Sequence, residues 1–74
     1  QNSGGGMTYR VEYNHETSGL IAVQTGIEHR HAAQVLAREI LNTEGATFAR
    51  VINEDSEGEV WSVRRGEGGT LLES

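Results

Sequence analysis

The stretch EHRHAAQVLAREILNT, residues 28–43, decides how this chain folds, because here apolar residues return at helical rather than alternating spacing. Ala32, Ala33, Leu36 and Ile40 fall on one stripe, with His31, Gln34, Arg38 and Asn42 opposite, which predicts one amphipathic helix. Thr25 and Glu28 have the spacing of a capping box, and Gly45 stands where a left-handed helix stop is usual. About sixteen residues rising ~1.5 Å each give a helix of roughly 24 Å, enough to cross a four-stranded sheet.

On either side of this stretch the period drops to two. Tyr9, Val11 and Tyr13 alternate with Thr8, Arg10 and Glu12, the pattern of a half-buried strand. Residues 14–19, NHETSG, supply turn chemistry, and the apolar run at 20–23, LIAV, pairs back as a second strand. After the helix, residues 46–52 read as a third strand, 53–58 (NEDSEG) as an acidic turn, and 59–64 as a fourth strand. The expectation is a small α+β domain, ββαββ, with a four-stranded, mainly antiparallel sheet and one helix packed on one face. A helix crossing between two hairpins allows a wholly antiparallel strand order 2-1-3-4, or 2-1-4-3 with strands one and four parallel. Leu36 is expected at the centre of a core containing Ala33, Ile40, Val11, Trp61, Val63 and at least one of the two tyrosines.

The domain is assigned to residues 7–65. QNSGGG at 1–6 reads as an appended remnant or flexible leader ahead of Met7, and the glycine-rich residues 66–74 as a flexible tail. A chain of 74 residues supports one domain with a thin core, since folding at this size hides only about 60% of the unfolded surface. The lack of cysteine removes disulfides, thiolate metal sites and a cysteine nucleophile. Every one of the six cations is arginine, and against eleven acids they leave a net charge of -5, which opposes general binding to phosphate backbones. No apolar run reaches the ~20 residues of a membrane span and no signal-peptide pattern precedes Met7, so a cytoplasmic location is expected, with no membrane partner.

Catalytic and metal chemistry find no constellation here. His15 falls in the first turn and His29 and His31 at the helix start, so the topology separates them; His29 is expected at the core edge and His31 in solvent. Glu54, Asp55, Glu57 and Glu59 lack the spacing of a calcium loop and read as a solvated turn. Ser56 and Ser62 have no identifiable base, and the glycines at 66, 68 and 69 do not join a strand to a helix as a phosphate loop does. No cofactor and no metal are expected, and the chain is read as non-enzymatic.

The sheet carries the functional signal, because its strands have apolar residues on both faces while one helix covers only one. With Trp61 and Val63 toward the helix, Val60, Ser62 and Arg64 face away, and Arg10 and Arg50 join them. Arg10, Arg50, Val60, Ser62 and Arg64 are therefore the candidate binding residues, in the chemistry of an interaction surface. The plainer reading is that the arginines lay their stems on an exposed sheet and pair with Glu12 and Glu59. The expected function is a small interaction or regulatory module, such as an accessory protein of a mobile element, that binds a protein partner or itself through the open face or an edge strand. A homodimer is expected, with strand four as an unprotected edge in the order 2-1-3-4. The alternative is a single-stranded nucleic-acid binder that stacks bases on outward tyrosines beside the arginines.

Overall fold

The computed structural model describes residues 7–73, and the leader at 1–6 lies outside the described residues together with Ser74. Alternation in the first segment produces β1 (Tyr9–His15), followed by β2 (Gly19–Ile27), α1 (Arg30–Ile40), β3 (Ala46–Asn53) and β4 (Gly58–Arg65). A turn of 3-10 helix at Glu67–Gly69 then leads into a short β5 (Leu71–Glu73). The result is a small α+β domain with one helix packed on an antiparallel sheet, in the order β2-β1-β3-β4-β5. The antiparallel alternative is thus the one realised. The sheet has five strands rather than four, because the segment read as a tail turns back through Gly66–Thr70 and pairs Leu71, Leu72 and Glu73 with Arg65, Arg64 and Val63. β4 is consequently not a free edge along its C-terminal half.

Cross-strand register places the core. Val11 lies opposite Val51, which lies opposite Trp61; the next row is Tyr13, Ala49 and Val63. Against these rows α1 packs mainly over β3 and β1 and barely touches β2. Its buried side chains are Ala33 and Ala37, and the stripe continues to Leu41 at the C-cap, which is 1% exposed. Leu36 and Ile40 are half-buried at the margin of the core and Ala32 is exposed, so Leu36 is not the centre. The apolar stripe is rotated toward its alanines because small side chains let the helix backbone approach the sheet, and Leu41 then fills the far end.

The helix also starts later than its sequence suggests. β2 runs to Ile27, His29 is the N-cap without a side-chain cap bond, and α1 has 11 residues rather than about sixteen. Thr25 therefore lies inside a strand and forms no capping box, and His29 is exposed rather than at the core edge. Gly45 does adopt a left-handed conformation, φ 89°, but four residues beyond the C-cap Leu41, in the loop that enters β3.

Candidate interaction surface

The face of the sheet opposite α1 is ordered into transverse rows by the same register. At its centre Ala22, Glu12, Arg50 and Ser62 lie side by side across β2, β1, β3 and β4. Toward the β3–β4 turn the row is Arg10, Ile52 and Glu59. Toward the β1–β2 turn it crosses all five strands: Leu20, Asn14, Phe48, Arg64 and Leu72.

The two arginines of the rows on the β3–β4 side are paired, with Glu12 of the central row and Glu57 of the adjacent turn. Arg10 donates from Nε to Glu12 Oε2 at 2.8 Å and from Nη2 to Glu57 Oε1 at 2.9 Å, while Arg50 Nη2 lies 2.8 Å from Glu12 Oε1. The Glu12 side chain is only 12% exposed. Burial works against its charge, but hydrogen bonds from Arg50 and Arg10 outweigh that and hold the carboxyl below its ordinary range. The hydrogen bond from Arg10 lowers Glu57 in the same sense, and the reciprocal bond raises the Arg10 guanidinium. Ile52 sits opposite Arg10 and is 4% exposed. Reaching from β1 to Glu57 in the β3–β4 turn carries the Arg10 stem across β3, an arginine covering apolar surface while its head stays paired. The plainer expectation for Arg10 and Arg50 thus describes them, with Glu57 in the place of Glu59.

The remaining candidates separate. Val60 is the extra residue of a β-bulge, since Val51 pairs with Trp61 but Ile52 with Glu59. It is half-buried and packs against the core, so it does not belong to the open surface as expected. Its carbonyl accepts from Arg30 Nη2 at 3.0 Å. Ser62 is half-buried in the central row. Arg64 is exposed and has no carboxylate partner among the described residues.

Around Arg64 lie side chains that the sequence did not single out. Phe48 is half-buried on one side of it; Leu72, 45% exposed, lies on the other, and Leu20, 49% exposed, ends the row. Asn14 completes it, donating from its amide to Thr47 Oγ1 at 2.9 Å. The signal for Phe48 was present in the alternation of strand three; that for Leu72 was hidden because its segment read as a tail. Both tyrosines pack against the core on the helix side, so neither presents a ring on this face.

Other chemistry is sparse among the described residues. The surface holds no enclosed pocket, no group of three His, Asp or Glu side chains converges as metal ligands would, and no helix is long and apolar enough to cross a membrane. His31 is exposed on α1, and His15, expected in the first turn, is instead the last residue of β1, paired with Gly19 and Ala46. The chain matches no family model, no curated protein and no solved structure at a meaningful level of similarity.

Proposed function

We propose that this domain is a non-enzymatic interaction module whose recognition surface is the row Leu20, Phe48, Arg64 and Leu72, and that its partner is a protein segment presenting a carboxylate between apolar side chains. One observation supports the reading: on a face whose Arg10 and Arg50 are paired with glutamates, Arg64 has no carboxylate partner among the described residues and lies between an aromatic and an exposed leucine. A guanidinium flanked by apolar surface is the combination enriched at the centres of interfaces. The nucleic-acid alternative has less support, because the tyrosines pack under the helix and Arg10 and Arg50 are held by Glu12 and Glu57.

The test is fluorescence anisotropy with three labelled peptides of equal length: leucine with glutamate, leucine with lysine, and glutamate alone. The first should bind, and Arg64→Glu should weaken it at least tenfold while favouring the lysine peptide. Equal binding of all three, or indifference to Arg64→Glu, would refute the reading; salt-sensitive binding of a labelled oligonucleotide instead would favour the alternative.

Self-association is a second reading, favoured by β2. Among the five strands it alone carries no charged residue, its outer edge has no neighbour among the described residues, and it exposes Leu20 and Val23. Copies of a chain with net charge -5 repel least where an uncharged strand meets its symmetry mate. Sedimentation velocity at micromolar concentration should then show a dimer that Val23→Lys dissociates; a monomer at all concentrations removes this reading.

A further inference from the structure

We propose that His15 is a proton-sensitive latch on the β1–β2 turn. Its Nδ1 accepts the backbone N–H groups of Thr17 at 3.1 Å and Ser18 at 3.4 Å, so the ring satisfies two donors of the turn that follows it. The other edge of the ring lies against Gly45: a methyl group added there would come within 2.4 Å of Nε2. Beside this contact Glu16 donates its N–H to the Gly45 carbonyl at 2.8 Å. One imidazole therefore ties the hairpin tip to the loop that leads into β3.

An Nδ1 that accepts must be unprotonated, which places the proton of the neutral ring on Nε2. Adding a second proton turns Nδ1 into a donor aimed at two donors, so both hydrogen bonds are lost together. Histidine is the side chain whose charge changes between about pH 5 and 8. The charged groups on the segments that meet the ring are Glu16 in the turn and Glu44 before Gly45; β2 contributes none, and β3 enters with Ala46 and Thr47. Neither carboxylate is hydrogen-bonded to the ring. The latch is closed with the ring neutral and opens as pH falls. Because Leu20 and Asn14 flank the turn, opening loosens one end of the row proposed to bind protein; this last consequence rests on that reading, and the latch itself does not.

Amide hydrogen exchange and 15N spectra of the full chain at about pH 7.5 and about pH 5.5 test it without any ligand. At the higher pH the His15 Nδ1 resonance should be that of an unprotonated nitrogen, and the Thr17 and Ser18 amides should be protected. At the lower pH their protection, corrected for intrinsic exchange, should fall roughly tenfold while that of Val11 and Val51 is unchanged. In His15→Phe the two amides should be unprotected at both values. A proton on Nδ1 in the neutral ring, or equal protection at both pH values in the wild type, overturns the latch, and the wild-type measurement decides even where His15→Phe fails to fold. Binding of the leucine–glutamate peptide, measured at both pH values, is a separate arm: protection that falls with no peptide bound at either pH refutes the binding row and leaves the latch standing.

Discussion

Replacing Leu41 by alanine should destabilise this domain about twice as much as the same change at Leu36. Leu41 is 1% exposed and belongs to the largest fully buried side chains, together with Val11, Val51 and Val63. Removing a buried leucine costs the transfer of its methyl and methylene groups plus the cavity left behind, in total ~2–5 kcal/mol. Leu36 is half-buried at the margin of the core, where water fills part of the space, so about half that figure, ~1–2 kcal/mol, applies. With ~0.05–0.15 kcal/mol of stability per residue, a domain of this length has about 3–10 kcal/mol in total. Leu41→Ala therefore removes from about a fifth to all of it, and at ~4–8 °C per kcal/mol lowers the thermal midpoint by roughly 8–40 °C, against about 4–16 °C for Leu36→Ala. Trp61 is the only tryptophan and is buried at 8% exposure, so urea titrations followed by its fluorescence report both variants with one probe. The reasoning fails if Leu36→Ala proves the more destabilising of the two, since the helix phase would then centre on Leu36.

Three further outcomes follow from local geometry. Gly45→Ala should cost more than the ~1 kcal/mol of an ordinary loop substitution, because it forces an L residue to φ 89° and drives a methyl into the His15 ring; urea unfolding indistinguishable from wild type would contradict that contact. Arg38 lies 5.1 Å from the Trp61 ring centre and pairs with Glu73 at 2.9 Å, so Arg38→Gln should speed amide exchange in Leu72 and Glu73 and shift Trp61 emission, with the amides of β1 and β3 unaffected. Glu12, Glu57 and Glu73 are all held below the ordinary carboxylate range, the last two by hydrogen bonds from Arg10 and Arg38. Their contribution is complete above the unfolded pKa of about 4.3 and is lost as pH falls through the lower folded values. Glu12→Gln should cost ~1–3 kcal/mol at neutral pH and flatten the acid limb of the stability curve; an unchanged limb would show that the pairs contribute nothing.

What the sequence made legible was whatever depends on local period. Alternation fixed both hairpins, and the helical spacing after residue 28 fixed one helix between them. The face of strand four was also readable, because Trp61 and Val63 could share a buried side only with Ser62 and Arg64 opposite. Helix phase was not, since Ala37 and Leu41 weigh no more on a wheel than Ala32 and Leu36 until the sheet defines which stripe can approach it. Val60 escaped because one extra residue in β4 breaks the alternation from which its face was inferred. Leu72 escaped because three residues after a stretch holding Gly66, Gly68 and Gly69 give no periodic signal, and only pairing with β4 makes them a strand. The pairing of Arg10 and Arg50 was foreseen as the plain alternative, but which glutamate meets Arg10 depends on the turn carrying Glu57, whose φ of 58° no pattern announces.

The way this sheet ends favours the proposed reading on its face over the second reading at the β2 edge. Open edges invite another strand, and proteins blunt them with bulges, short strands and covering groups. β2 accommodates one extra residue opposite Tyr9–Val11 and another opposite Val11–Glu12, with Gly26 at φ 68°, so its outer edge is bent twice within nine residues. On the far side β5 covers Val63 to Arg65, and Arg30 occupies the Val60 carbonyl where β5 no longer reaches. Strand addition would have to straighten a bulge at β2 or displace Arg30 from β4, and β5 itself presents an edge of only three residues. On the open face the Arg10, Glu12, Arg50 and Glu57 pairs link β1, β3 and the turn beyond it, a frame that already satisfies its charges and gains little from a partner. Beside that frame Phe48, Leu72 and Leu20 share a row with Arg64, which has no counter-charge among the described residues, and desolvating it is favourable only when a carboxylate arrives with the apolar cover. On the proposed reading, specificity for an acidic, apolar segment would come from contrast within the face: arginine is paired in two rows and, among the described residues, without a carboxylate in the third.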